Sequence, residues 1–333
     1  MWHIMWLTTL SFVCYLSAIN CVDPALIAID TEATAEAMGN LQRFGYLERG
    51  PQDSSYSESV CTAESFRSAI EDFQSFAGLK KTGEIDNETC EVMSKPRCGV
   101  PDRIRPGHSS TRQKRFVIQG TFIQIGSIWP KKQLTYKIKN YTPDMSQSDV
   151  DREIARAFQM WADVADVTFV HVKNPLADVD INIIFASGEH DDGNCDDPFN
   201  DGPNGILAHA AFPSTGGYVH FDESETWTLN SDKGTNLFQV ATHEFGHVLG
   251  LRHSHVRTAV MYHKYEYYRP DFKLDKDDIQ GIQTLYGENQ LRKLEIELKA
   301  KIELLRDTVN DLVKSNTDLN NKLEIEENEG QSR

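Results

Sequence analysis

Residues 243–253 read HEFGHVLGLRH, with three histidines, one glutamate and two glycines in eleven positions. His243 and His247 stand four apart within an apolar stretch, so on a helix both imidazoles leave the same face at a spacing that suits one Zn2+. Glu244 adjoins the first of them, where its carboxylate can reach a water on the metal rather than the metal itself. Gly250 lets the helix stop in a left-handed residue and the chain turn back, so that His253 supplies a third nitrogen. Three protein ligands leave the fourth position open, which separates a catalytic zinc site from a closed structural one. A lone histidine is more often a hydrogen-bonded surface or core residue. Here the extended pattern, followed by Met261 in TAVMY, matches a zinc site underlain by a Met-turn.

The chain around this motif has 333 residues, enough for two or more domains, and 39% hydrophobic content is enough to build cores. A net charge of −16 argues against nucleic-acid partners, which need clustered Lys and Arg. Acidic stretches rich in Gly and Asn can instead hold calcium. Residues 1–20 form an apolar run ending in small residues, which reads as a secretory signal peptide cleaved near Ala18 to Cys21. The run lacks Lys or Arg at its start, which leaves a membrane anchor as the alternative, yet it is short for a bilayer span. Cys14, and with it Cys21, leaves with the signal, Cys61 and Cys90 flank a helical segment and could pair outside the cell, and Cys98 and Cys195 remain. Sequons at Asn87 and Asn140 fit export.

Residues 22–95 show helical periodicity, with Phe66, Ile70 and Phe73 to Phe76 on one face of SFRSAIEDFQSFAGL. RPGHSSTRQKRF follows as an exposed linker, and its RQKR, Arg112 to Arg115, is a pattern that proprotein convertases cut, leaving Phe116 as the new N-terminus. Next, QLTYKIKNY alternates as a strand, and Ser146 caps a helix that turns Val150, Ile154, Phe158 and Trp161 inward. VTFVHV and VDINIIFA read as strands, and the Gly-, Asp- and Asn-rich stretch up to Phe221 is too long to be idle unless bound metal organises it. From Glu288 to Glu327, Leu291, Leu298, Leu305, Leu312 and Leu319 recur every seven residues, with Ile302, Val309, Asn316 and Leu323 completing the seam. A seam Asn beside Leu favours parallel dimers; Glu295 in the seam and like charges at Lys301 and Arg306 oppose pairing, and a tail docked on its own domain is the alternative.

LQRFGYL, FQSFAGLKKTGEID, PRCGVPD, LTYKIKNYTPD, FDESETW and DDIQGIQTLYG, together with the histidine motif, resemble matrix metalloproteinases from about Leu41 to Gly287. The resemblance implies an α+β chain with a helical propeptide domain and a zincin-like catalytic domain, a twisted, mainly parallel sheet with three helices; a coiled-coil helix follows. The corresponding boundaries are signal peptide 1–20, propeptide 21–115, catalytic domain 116–287 and coiled coil 288–327, in place of the family's hemopexin-like propeller. It implies a secreted zinc endopeptidase for extracellular proteins, kept latent by Cys98 of the cysteine-switch motif and activated by cleavage after Arg115, with tissue-inhibitor-type partners. The freed Phe116 ammonium would pair with Asp277 or Asp278.

By the same resemblance His190, Asp192, His209 and His220 would form a structural zinc site, and Asp201, Gly202, Asn204, Ile206, Asp222 and Glu225 would cage a calcium. Asp144, Asp180 and Gly216 would help hold a further calcium, although Tyr218 stands where relatives carry an aspartate. EHDDGNCDDPFNDGP is longer than the family's loop and includes Cys195, which has no assigned role. Substrate would add along the strand at Leu207 and Ala208, with one side chain entering a pocket whose depth Gln239 helps set. The rivals are an astacin-like or adamalysin-like protease and a non-catalytic scaffold that keeps the zinc fold for binding. PRCGVPD speaks against the first and Glu244 against the second.

Overall fold

The computed structural model describes residues 31–48, 62–103, 127–190 and 199–330. The signal segment, Cys61, the RQKR site with Arg115 and Phe116, Asp192 and Cys195 lie outside the described residues, so the Cys61–Cys90 pairing is not described either.

Three helices open the chain: α1 (Thr31–Arg43), α2 (Ala63–Phe76) and α3 (Asn87–Met93). Thr62 caps α2 by accepting the Ser65 N–H at 3.1 Å, and Phe66, Ile70 and Phe73 fall on the inner face that the periodicity predicts. They pack with Leu41 and Phe44 into a cluster that also takes in Phe199 and Ile206 of the following domain, so the propeptide is seated on that domain. Gln74 is fully buried and its amide is satisfied by Thr82 and Thr89.

The second domain carries a six-stranded sheet in the order β1-β5-β6-β4-β2-β3. Its strands are β1 (Arg97–Cys98), β2 (Gln133–Ile138), β3 (Thr168–His171), β4 (Ile181–Ala186), β5 (Ile206–Ala210) and β6 (Tyr218–Asp222). Only β5 and β6 pair antiparallel; every other pairing is parallel, as expected of this fold class. A two-stranded ribbon, β7 (Trp227–Thr228) and β8 (Thr235–Asn236), leads into the motif helix.

Three helices accompany the sheet: α4 (Gln147–Ala162), α5 (Leu237–Val248) and α6 (Lys276–Tyr286). Ser146 caps α4 through the Asp149 N–H, and Val150, Ile154, Phe158 and Trp161 are all buried. Phe158 stacks on Phe245 with ring centroids 3.7 Å apart, and the Trp161 indole donates to the Thr242 carbonyl. These contacts lock α5 against α4 and thereby fix the direction in which the α5 histidines point.

The last element, α7 (Gln290–Gly330), is a 41-residue helix. Its start is tied to the domain through Asn289 on the Ala162 carbonyl and Arg292 beside Asp163. Beyond that its seam is open: Leu298, Ile302, Leu305, Val309, Leu312 and Leu319 are all more than half exposed. Packing of this seam onto its own domain, the alternative reading of the tail, is therefore overturned for the described residues. No helix among them is long and apolar enough to cross a membrane.

Candidate metal centre

Helix α5 begins where Asn236 Oδ1 accepts the Gln239 N–H and is buried along its whole length, in line with the apolar Leu237, Phe238, Val240, Ala241, Phe245 and Val248 around the histidines. It stops after Leu249 because Gly250 adopts φ +104°; a Cβ there would come within 2.2 Å of the Ser127 carbonyl oxygen. That turn brings His253 back over the helix. Gly246, one residue before the second ligand, makes room for Met261, since a Cβ at this position would lie 2.2 Å from the Met261 sulfur. Asp278 on α6 holds the Met-turn in place by accepting the Val260 and Met261 N–H groups at 2.7 and 3.0 Å.

Cys98, His243, His247 and His253 place one ligand atom each within 4.8 Å of one another, all buried. Each imidazole has its Nδ1 on an oxygen: His243 on the Val260 carbonyl, His247 on the Leu251 carbonyl and His253 on Asp102 Oδ1. Those bonds leave the Nε2 atoms to converge, with His247 and His253 Nε2 only 3.1 Å apart. Burial and the neighbouring imidazoles push His247 well below the ordinary histidine range, and burial and His253 push His243 to about 3. Neutral imidazoles with converging lone pairs, one of them the buried and unpartnered His243 Nε2, form a donor set that fits a zinc ion.

Glu244 stands beside this set without joining it. Its Oε2 lies 3.5 Å from Cys98 Sγ, its Oε1 is buried without a partner among the described residues, and burial raises the carboxyl to about 8. Burial and the Glu244 carboxylate raise the Cys98 thiol well above its usual range, a state that a cation held among the four donors would reverse.

The propeptide is anchored by a network that sequence reasoning missed. Asp102 is buried and takes two bonds from Arg97, at 2.7 and 3.2 Å, one from the Tyr46 hydroxyl at 2.9 Å, and its contact to His253 at 2.7 Å. Burial opposes its ionisation, but Arg97, His263 and His253 outweigh it and hold the carboxyl well below the usual range. Strand β1 lies along the edge of β5, with the Arg97 N–H on the Gly205 carbonyl and the Gly99 N–H on the Ala208 carbonyl. Leu207 and Ala208, the expected substrate strand, are thus covered by the propeptide running parallel to them. On the opposite wall the Tyr265 N–H reaches the Pro96 carbonyl.

His190, His209 and His220 form a second group whose ligand nitrogens lie within 4.8 Å of one another. Burial and the adjoining imidazoles lower His209 to about 2 and His220 to about 3, which fits a structural zinc. Around the expected calcium loop, Asp222 is fully buried with Oδ2 unpartnered among the described residues, and burial and Asp201 raise its pKa. Gly202 and Asn204 adopt φ +70° and +68°, while both Glu225 oxygens are occupied, by the Asn204 N–H and the Thr235 hydroxyl. The residues of the further calcium site have other partners. Asp180 binds Lys131 at 2.7 Å and Thr135, Asp144 accepts the Trp227 N–H, and Gly216 at φ +113° ends the short helical turn Pro213–Thr215. An ammonium thus stands at Asp180 where a bound cation was expected.

Gln239 does line the cavity beside Glu244, but its amide is committed: Oε1 accepts the Arg269 N–H and Nε2 donates to the Tyr267 carbonyl. Asp277 accepts from Ser254, and its Oδ1 is buried without a partner among the described residues, whereas the Asp278 oxygens hold backbone N–H groups.

A parallel sheet, a buried HExxH helix, a returning third histidine and a methionine turn beneath them define a zinc metallopeptidase domain. Residues 128–287 match the matrixin family, and residues 31–93 match the putative peptidoglycan binding domain family. The catalytic segment of this chain belongs to the matrixins. The chain is 44% identical to the hatching enzyme of Paracentrotus lividus over 75% of its own length and 38% of that protein's. It is 45% identical to matrix metalloproteinase-16 of Homo sapiens over 74% of its length and 40% of the relative's. Interstitial collagenase of Equus caballus is 45% identical over 66% of this chain and 43% of its own. The chain thus spans about two fifths of the length of the curated relatives it matches.

Proposed function

We propose that the chain is a secreted zinc endopeptidase of matrix metalloproteinase type, made latent and activated by convertase cleavage after Arg115. The observation that carries this reading is the convergence of three neutral imidazoles and the Cys98 thiol beside a buried Glu244 that ligates nothing. His243, His247 and His253 would hold the ion, which when bound supplies a Lewis acid that acidifies a water and polarises the scissile carbonyl. Glu244 takes the proton from that water and delivers it to the leaving amine, a role suited to a carboxylate that stands beside the three imidazoles without bonding them. The Val260 and Leu251 carbonyls orient the His243 and His247 rings, and Asp102 holds the His253 ring only while the propeptide is in place. β5 offers its backbone edge to an extended peptide once β1 leaves, and exclusion by β1 accounts for latency.

Extracellular protein substrates are supported by the names of two relatives, interstitial collagenase and macrophage metalloelastase. Tissue-inhibitor-type proteins would compete for the same cleft. A structural zinc at His190, Asp192, His209 and His220 and a calcium at the Asp201–Glu225 loop belong to this reading. So does pairing of the Phe116 ammonium with Asp277, supported by its buried, unpartnered Oδ1 and the small cavity it lines with Ser254 and Met261. The open heptad seam of α7 supports a homodimer. The test is cleavage of a quenched collagen-like peptide by the full chain before and after convertase treatment. Activity that appears on treatment and vanishes with chelator supports the reading; a zinc-loaded, processed and inert protein ends it.

A further inference from the structure

The cavity beside Glu244 has apolar sides contributed by Leu207, Val240, Val260 and Phe272, but its charge is unbalanced. Arg257 also lines it and is matched, its Nε and Nη2 both lying 3.2 Å from the Glu266 carboxylate. Lys264 and Arg269 are not: among the described residues neither has a carboxylate partner. The Lys264 ammonium donates instead to the Met93 and Lys95 carbonyls, at 3.0 and 3.2 Å, at the C-terminal end of α3. Both acceptors belong to the propeptide and depart with it. Arg269 lies over the Phe272 ring, and its Nε is buried with no partner among the described residues. Gln239 cannot balance them, because both ends of its amide are bonded to the 267–269 loop.

Burial and the Arg97 guanidinium push Lys264 well below its usual range, and Arg97 leaves with the propeptide on activation. The opened cavity is then lined by an ammonium and a guanidinium together with the apolar side chains of Leu207, Val240, Val260 and Phe272, in a chain whose overall charge is −16.

We propose that in the processed enzyme this cavity selects substrate side chains that end in a carboxylate on an aliphatic stem, as glutamate does, with Lys264 and Arg269 as the specificity-determining residues. The inference rests on the endopeptidase reading. The stem replaces water along Leu207 and Val240, and the carboxylate supplies the acceptor that the departing carbonyls withdraw from Lys264.

The test uses convertase-processed full-length protein and sets of fluorogenic peptides that differ only in carrying Glu, Gln, Leu or Lys at each position flanking the scissile bond. At one position Glu should exceed Gln by about tenfold in kcat/KM, the scale of a charge-assisted hydrogen bond in a partly dry site. Within each variant the same ratio is read, so a general loss of activity does not mimic the effect. Lys264→Met and Arg269→Gln should bring the ratio toward one, Lys264→Arg should restore it, and Lys264→Glu should turn the preference toward a Lys peptide. A wild-type ratio of one or below at every position overturns the proposal, as does a ratio that neither Lys264→Met nor Arg269→Gln lowers. Chelator-sensitive cleavage of the Leu peptides with no Glu preference leaves the endopeptidase reading standing and this inference rejected; no cleavage of any peptide rejects both.

Discussion

Glu244 is 1% exposed and sits beside three imidazoles without bonding any of them, so its carboxyl is free to exchange a proton with a water held within its reach. Glu244→Gln keeps the size and removes the base. Zinc content measured by atomic absorption should stay at the wild-type level while peptide turnover falls by about 10²- to 10⁴-fold. A metallated variant that retains turnover would reject the role. Asp102 acts on the other side of the activation step. Asp102→Asn leaves Arg97 buried opposite a neutral amide and removes the charged acceptor of His253, a loss on the order of 3–5 kcal/mol for a broken buried pair. Cys98 in the intact variant should react with a thiol reagent far faster than in wild type, whereas the processed enzymes, which no longer contain residue 102, should be indistinguishable. The histidines and Glu244 were legible because helical spacing alone places them together. Asp102 was visible only as a letter of PRCGVPD: beyond Arg97 in the same motif, its partners Tyr46 and His253 lie 56 and 151 residues away, and no local period encodes such contacts. His263 was overlooked for the same reason, being buried against Phe73 and Phe76 of the propeptide helix.

Among the elements, α4 and α5 were legible from periodicity and caps, and β2 to β4 from alternation or apolar runs. β1 was not, since a two-residue strand has no period and exists through its pairing with β5. The end of α5 is where backbone geometry and chemistry meet. Gly250→Ala combines a φ of +104° with a clash against the Ser127 carbonyl, so a loss of about 2 kcal/mol or more is expected, with displacement of His253. Urea unfolding and a competitive zinc titration should show both effects; unchanged zinc affinity would mean that the turn does not place the third ligand. Strands β5 and β6 carry His209 and His220, whose folded pKa values of about 2 and 3 lie below the unfolded value of 6.5. The folded state therefore binds fewer protons, and its stability is present above about pH 6.5 and is lost as pH falls toward 3. In chelator, each of these buried histidines should cost about 2 kcal/mol between pH 7 and 5, read as a falling urea midpoint. A midpoint that is flat over that range would place the two imidazoles in solvent.

At the scale of the molecule, the tail presents apolar side chains that are more than half exposed among the described residues. Burying six seam residues between Leu298 and Leu319 at roughly 1.5 kcal/mol each gives on the order of 10 kcal/mol per chain. Association costs about 4–15 kcal/mol once, while two chains contribute, so this balance supports the proposed pairing even with Glu295 and Asn316 in the seam. Asn316 is tolerated where it faces another Asn across a parallel two-stranded seam, which selects a dimer over higher states. In such a dimer the two catalytic domains lie at the same end, each tied to the start of its α7 through Asn289 and Arg292. A substrate with repeated sites would then be held by one domain while the other cleaves, at an effective concentration set by the dimer rather than by bulk protein. Sedimentation equilibrium should give twice the chain mass for the full protein and the single mass for Leu305→Glu combined with Leu312→Glu. Processed dimer and monomer should cleave a short peptide equally per site and differ on a multisite protein substrate. Equal masses at twice the chain value would end the seam as the dimer contact, and equal masses at the single-chain value would end the dimer and leave the exposed seam to a partner other than a second copy.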